Sequence, residues 1–326
     1  MNANAKIFVA GHRGLVGSAI CRRLASNGYK RIVARTHAEL DLTDQQAVRK
    51  FFDAERPDYV FLCAAKVGGI LANSTYPGQF IFQNLAIQTN VIHSAWQVGV
   101  KRLLFLGSSC IYPRECPQPM KEEYLLTGPL ESTNRPYAVA KIAGIELCWS
   151  YNKEYGTGFL ALMPTNLYGP GDNYDLQTSH VLPALVRKMH EAKVDKSASV
   201  TVWGTGTPRR EFLYSDDMAD AALFVMNLQD KVYSNVCTSQ TMPPLINVGC
   251  GQDLTIRELA ELVKQVVKYD GDIVWDRTKP DGTPQKLLDI ARLKRLGWQS
   301  RVSLSEGVAL AYSDFLTNRQ KYCLTA

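Results

Sequence analysis

Short apolar runs punctuate the chain at Ile7-Phe8-Val9-Ala10, Arg31-Ile32-Val33-Ala34, Tyr59-Val60-Phe61-Leu62, Leu103-Leu104-Phe105-Leu106 and Phe159-Leu160-Ala161-Leu162. Runs of this length without polar alternation are what strands covered on both faces require. Between them the period changes: Val16, Ile20 and Leu24 recur every fourth residue, and Val48, Phe51 and Phe52 keep helical spacing in the next interval. Strands alternating with amphipathic helices predict an α/β fold, a Rossmann-type doubly wound parallel sheet. From about residue 165 the rhythm breaks into loops rich in Gly, Pro and Asn, and 164–170 and 203–210 read as ligand-lining turns. Two further strands, Val200-Thr201-Val202-Trp203 and Ile246-Asn247-Val248, lie among helical stretches over 216–228 and 256–267. The expected organisation is 1–166 plus about 213–249 in the sheet domain, with a smaller interleaved C-terminal domain from about 167–212 plus 250–326.

Composition narrows the class. The chain has 326 residues, 46% hydrophobic and 21% charged, which excludes disorder and a disulfide-stapled miniprotein. Lys and Arg number 37 against 31 Asp and Glu, a net +6 with no basic block, so the excess fits an anionic small ligand and gives no nucleic-acid arm. The eight cysteines, Cys21, Cys63, Cys110, Cys116, Cys148, Cys237, Cys250 and Cys323, form no Cys-x-x-Cys pair and join no His cluster at metal-ligand spacing. Reduced thiols and no metal are expected. No signal-peptide pattern opens the chain, and no stretch reaches the roughly 20 apolar residues of a membrane span, so a cytoplasmic enzyme is the expectation.

The first strand runs into Gly11-His12-Arg13-Gly14-Leu15-Val16-Gly17 and then a helix. Glycines in a strand-turn-helix junction let the backbone approach a pyrophosphate, and the helix amides stabilise its charge, so this loop predicts a dinucleotide. The second strand ends in Arg35 where an NAD site usually carries an acid. Arg35 and Arg13 would instead meet a 2′-phosphate, which favours NADP(H). Asp41-Leu42 falls where an adenine edge would sit, although Asp41 could equally cap the next helix.

After the fourth strand comes Gly107-Ser108-Ser109-Cys110-Ile111-Tyr112, and Pro136-Tyr137-Ala138-Val139-Ala140-Lys141 opens a helix. Tyr137 and Lys141, four apart, share a helix face, and a neighbouring ammonium is expected to lower the phenol pKa enough for proton transfer. Ser108 can hold the reacting oxygen. Each motif alone also has a structural reading, but their order along one chain points to a reductase.

On these motifs the sequence resembles the extended short-chain dehydrogenase/reductases. Gly-Ser-Ser-Cys-Ile-Tyr-Pro at 107–113, Ala-Ala-Lys-Val-Gly-Gly at 64–69, Pro-Thr-Asn-Leu-Tyr-Gly-Pro at 164–170, Arg-Glu-Phe-Leu at 210–213 and Lys-Pro-Asp-Gly-Thr-Pro at 279–284 narrow the likeness, over nearly the whole chain, to one branch. Those enzymes epimerise C3 and C5 of GDP-4-keto-6-deoxy-D-mannose and reduce C4 with NADPH, giving GDP-L-fucose. The resemblance implies that the sheet domain binds NADP(H) and the smaller domain a GDP-linked 4-keto-6-deoxy sugar. It implies that Ser108, Tyr137 and Lys141 reduce and that Cys110 and His180 exchange protons. It adds Ala64, Ala65, Pro164, Asn166, Leu167 and His180 to the cofactor site, and Arg187, Trp203, Arg210 and Lys286 to the substrate site. His37 stands where members can carry a further Arg.

Two other readings compete. A reductase or dehydratase of the same superfamily could act on another nucleotide sugar, although a dehydratase would carry acids where Ser109 and Cys110 stand. A non-catalytic NADP-sensing module would not need Tyr137 and Lys141. A homodimer is expected through helices over about 79–96 and 137–155, because Phe80, Phe82, Ile87, Val91, Trp96, Ile142, Ile145 and Trp149 offer more apolar surface than one sheet face needs.

Overall fold

The computed structural model describes residues 1–279 and 281–318; Pro280 of the 279–284 motif and Cys323 lie outside the described residues. In chain order the first half contains β1 (Lys6–Ala10), α1 (Leu15–Ser26), β2 (Arg31–Val33), α2 (Gln45–Glu55), β3 (Tyr59–Leu62), α3 (Ile70–Thr75), α4 (Pro77–Gln97), β4 (Arg102–Leu106), α5 (Arg135–Tyr155), β5 (Phe159–Pro164) and β6 (Asn166–Tyr168). The second half contains α6 (Val181–Val194), β7 (Ser199–Trp203), β8 (Arg209–Tyr214), α7 (Ser215–Met226), α8 (Asp230–Cys237), β9 (Leu245–Val248), β10 (Asp253–Thr255), α9 (Ile256–Val267), β11 (Asp272–Asp276), β12 (Gln285–Lys286), α10 (Ala291–Leu296) and α11 (Leu304–Thr317).

Six strands pair in parallel in the order β2-β1-β3-β4-β5-β9. β5 is buried along its whole length and β3 at Val60, Phe61 and Leu62, which is why these runs lack polar alternation. Ile7, Val9, Ile20, Leu24, Met218 and Ala222 pack α1 and α7 on one face, while Phe8, Phe52, Val91, Ile92 and Ile145 pack α2, α4 and α5 on the other. Each of these side chains larger than alanine, fully buried, stabilises the fold by about 1.5–3 kcal/mol. Strand order reverses at β1, so the crevice where ligands bind in such sheets opens at the carboxyl ends of β1, β3, β4 and β5.

The second layer is built around β8, which pairs antiparallel with β10 and in parallel with β12 and β6. β6 leaves β5 after a single residue, Thr165, so the two sheets meet at the same carboxyl edge. α6, α9 and α11 enclose a separate core of Leu185, Val186, Leu259, Val263, Val308 and Phe315, flanked by the parallel pair β7 and β11.

Helix starts divide by chemistry. Asp44 caps α2 by accepting from the Gln46 and Ala47 amides, and Thr255 with Glu258 forms a capping box on α9. Asp41 is therefore no helix cap; its carboxylate accepts from the amide and hydroxyl of Thr43 at 2.9 and 2.8 Å. By contrast α1, α5 and α6 begin at Gly14, Asn134 and His180 with no side chain on their first amides. All three face the crevice.

Candidate active site

The floor of the crevice is the glycine loop. Gly11 adopts φ +82°, open to glycine without strain, and a Cβ there would lie 2.7 Å from the Ala64 nitrogen. A Cβ on Gly17 would collide with the Gly11 carbonyl. Gly14 has only that carbonyl nearby, at 3.4 Å, and stands open in front of α1, whose first turn carries no acid. Leu15 and Val16 start the helix, Val16 buried in the core. This is a backbone cradle for a phosphate group, bounded by Ala64 and Ala65 after β3.

At the rim, Arg13 is exposed and lies near enough to the Glu39 carboxylate to help hold its pKa down, behind the Thr36 hydrogen bonds that dominate that shift. Arg35 donates to Glu55 Oε1 at 2.7 Å and to the Ala34 carbonyl at 2.9 Å, its guanidinium over the Phe51 ring. One edge of Arg35 is thus already committed to a carboxylate. His37 is solvent-facing, with Nδ1 3.7 Å from Asp41. Leu42 packs partly buried against the sheet.

Around the reacting centre, Ser108 caps the short helical turn Ser109–Ile111, its Oγ accepting from the Cys110 amide at 3.3 Å. The Ser108 hydroxyl faces Tyr137 on α5 closely enough to work against the rise in its pKa. The Tyr137 ring lies edge-on to Phe80, and the Lys141 ammonium sits 5.7 Å from its centroid. The expected lowering of the phenol by Lys141 is not what the structure gives. Burial dominates and raises the Tyr137 pKa, with the neighbouring Cys110 adding to the rise and Ser108 opposing it. Lys141 is itself almost wholly buried, donates to the Leu106 carbonyl at 2.7 Å, and is brought down to about 8 by desolvation.

Cys110 is half-buried, and its sulfur accepts from Asn134 Nδ2 at 3.2 Å and lies 3.9 Å from Lys286 Nζ. His180, at the start of α6, opens to solvent on one side; crowding by protein and then the Lys286 charge hold its imidazole below the usual pKa. Arg210 stands on β8 opposite Lys286 on β12, and burial lowers its pKa, with Cys110 and Asp281 close enough to work against that fall. Cys110, Lys286, His180 and Arg210 therefore form one cluster facing Ser108 and Tyr137.

Pro164 ends β5, and Asn166 and Leu167 begin β6, with Asn166 Nδ2 donating to the Glu211 carbonyl at 2.9 Å. Trp203 is not core: it is 58% exposed, flanked by the Lys188 and Lys279 ammoniums at 5.8 and 5.4 Å. A bare indole between two cations is a shelf for an anionic aromatic ligand. Arg187 is drawn away from this shelf, its Nε on Glu191 at 2.8 Å and Nη1 on the Tyr174 carbonyl at 3.1 Å.

Asn134 lies outside every quoted motif, and Glu211 lies in Arg-Glu-Phe-Leu with no role assigned to it; Glu211 is fully buried on β8, with burial raising its pKa while it accepts from the Gly251 and Leu288 amides at 2.6 and 3.0 Å. It anchors the strand that carries Lys286. Its sequence signal was a carboxylate directly followed by the apolar run Phe212-Leu213-Tyr214. No group of three or more His, Cys, Asp or Glu able to hold a metal occurs among the described residues.

The family model described as "NAD dependent epimerase/dehydratase family" matches residues 7–237. The chain is 57% identical to GDP-L-fucose synthase 1 of Arabidopsis thaliana over 97% of its length and 94% of that protein. It is 55% identical to GDP-L-fucose synthase of Escherichia coli (strain K12), covering 97% and 98%. Among solved structures, a GDP-mannoheptose C4 reductase from Campylobacter jejuni with NADP bound superposes with TM-score 0.87 at 40% identity, covering 97% of this chain and 99% of that one.

Proposed function

The chain belongs to the NAD dependent epimerase/dehydratase family, and from that membership and the cleft we propose that it converts GDP-4-keto-6-deoxy-D-mannose to GDP-L-fucose by 3,5-epimerisation and NADPH-dependent 4-reduction. The observation that carries the reading is the convergence of two sets of groups on one crevice. Ser108, Tyr137 and Lys141 suit a carbonyl reduction, and Cys110 and His180 suit proton exchange beside that carbonyl.

Hydrogens on C3 and C5 are acidic because the electron pair left behind spreads onto the C4 oxygen. Ser108 and Tyr137 donate to that oxygen and stabilise its charge. Cys110, as thiolate, takes a proton from one face and becomes a thiol; His180 delivers one to the other. The depressed pKa of His180 makes its protonated form, which takes its proton from solvent, the stronger acid, and returns the ring to neutral once the proton has passed to carbon. In the reducing step Tyr137 gives its proton to the C4 oxygen. Its raised pKa keeps the phenol protonated, ready to donate, until charge develops beside it.

NADP(H) fits the cradle, because its glycines leave no room for a side chain between Gly11, Gly17 and Ala64. Gly11, Gly14, Leu15, Val16 and Gly17 would hold the pyrophosphate, Arg13 and Arg35 the 2′-phosphate, Asp41 and Leu42 the adenine, and Ala64, Ala65, Pro164, Asn166, Leu167 and His180 the remainder. When bound, the cofactor supplies the hydride that C4 receives. Lys286 and Arg210 bind the diphosphate and Trp203 stacks on the base. Arg187 reaches substrate only by releasing Glu191, so it contributes mainly by bracing α6.

The unit that binds cofactor comprises 1–166 with about 213–249, and the remaining segments bind the sugar nucleotide. The protein is a cytoplasmic homodimer joined through α4 and α5; no helix of the described residues is long and apolar enough to cross a membrane. The direct test offers NADPH with GDP-linked and dTDP-linked 4-keto-6-deoxy sugars and determines the product configuration. GDP-L-fucose from the GDP substrate alone is expected; reduction without inversion at C3 and C5 would overturn the epimerising half.

A further inference from the structure

What holds the Cys110 sulfur in place lies outside the recognised motifs. Asn134, between the short turn Ser132–Asn134 and α5, donates its Nδ2 to Cys110 Sγ at 3.2 Å. At the N-cap of a helix an Asn ordinarily folds its oxygen back onto the first amides. Here it makes no such bond, and its Oδ1 is buried without a partner. A buried amide oxygen left bare is uncommon and costly, so helix capping does not account for this arrangement.

We propose that Asn134 is a positioning residue for Cys110: its amide N–H directs the sulfur and favours the ionised form, and its bare Oδ1 accepts the sulfur's proton-bearing form after a proton has been taken from the sugar. This rests on the reading of Cys110 as the base. An amide is a two-fold rotor with a donor on one edge and an acceptor on the other. Turned by half a revolution, it presents Oδ1 to S–H, and the turn breaks no bond but the N–H to sulfur contact itself, because Oδ1 holds nothing else. The step balances: one proton passes from carbon to sulfur, and the electron pair stays on the sugar, spread to the C4 oxygen facing Ser108 and Tyr137. The other groups facing the sulfur are Lys286 from β12, Arg210 from β8 and Tyr137 from α5. All three stay when Asn134 is changed, so its substitution alters only the donor.

The test follows two readouts on the full-length protein against pH, from about 5 to about 10. One is alkylation of Cys110 by iodoacetamide, resolved by peptide mass spectrometry. The other is deuterium entry at C3 and C5 of GDP-4-keto-6-deoxy-D-mannose with oxidised cofactor. In Asn134→Ala both midpoints should move up by about one unit, the size of a lost hydrogen bond to a charged group. In Asn134→Asp, isosteric but anionic, they should move further, and exchange at neutral pH should fall at least about tenfold. A role in packing alone gives the opposite order, with Asp close to the parent and Ala worse, and midpoints unshifted in both variants overturn the proposal. Cys110→Ser, run alongside, separates the two claims. If it exchanges as fast as the parent, the base assignment itself fails; if it is slow while the Asn134 variants keep the parent's midpoints, only the role of Asn134 fails.

Discussion

Tyr137 and Lys141 illustrate how far a spacing carries at the scale of single residues. Four residues apart on a helix, they were readable as neighbours, and the structure seats the Lys141 ammonium 5.7 Å from the Tyr137 ring. Their electrostatics were not readable, because desolvation is set by everything packed around them, and it raises Tyr137 while bringing Lys141 to about 8. The roles of Asn134 and Glu211 were unreadable for a related reason: one meets a sulfur 24 residues away, and the other ties strands through backbone amides at Gly251 and Leu288. Neither partner can be inferred until the chain is folded. Arg35 was visible as a cation but its tie to Glu55 was not. Reversing its charge with Arg35→Glu sets two like charges side by side and removes the partner for a 2′-phosphate. NADPH affinity, measured by fluorescence titration, should drop at least about tenfold more than NADH affinity. Equal losses would mean that Arg35 serves the fold through Glu55 and not the cofactor.

Elements were more legible than residues, because periodicity reports burial directly. The apolar runs became β1, β3, β4 and β5, and the stretch expected over 256–267 is helix α9 with those bounds. Pattern could not separate helices that cap themselves from helices that leave amides free, since Asp41 and Asp44 lie close together and only Asp44 caps. The turn between β6 and α6 holds another such case, Asp172, buried beside the glycine turn with its pKa raised by desolvation from 3.8 to about 7. The folded chain keeps that proton while the unfolded chain sheds it, so stability falls as pH climbs from the unfolded value through about 7 and stays lower above it. Asp172→Asn keeps an oxygen for the Asn173 amide and carries no charge. Its thermal midpoint should exceed the parent's by a few degrees above about pH 8, and the gap should close toward about pH 5. A gap independent of pH would show that folding does not raise the Asp172 pKa.

For the whole molecule, the amphipathic count along α4 and α5 overstated the free surface. Phe80, Val91, Ile142 and Ile145 are buried within the chain, because each helix must satisfy both the sheet and its neighbouring helix. Trp96 stacks on Tyr155 and Trp149 lies under the Lys153 ammonium. What remains outward is Phe82, 67% exposed, with Val139 near the start of α5 and Tyr155 at its end. If these two helices join a homodimer, Phe82→Asp should shift the mass seen by light scattering at micromolar concentration from dimer toward monomer; an unchanged dimer would place the interface elsewhere. The central claim is that one crevice performs two separable reactions, with Cys110 and Tyr137 dividing the work. The most direct measurement follows Tyr137→Phe in deuterated water with NADPH and GDP-4-keto-6-deoxy-D-mannose, reading deuterium at C3 and C5 by mass spectrometry and NADPH by absorbance. Deuterium should still enter both carbons while NADPH oxidation falls by at least about a hundredfold, as loss of a proton donor requires. Oxidation of NADPH at the parent's rate would contradict the division of roles, and so would complete loss of exchange together with reduction, because Ser108 still donates to the C4 oxygen.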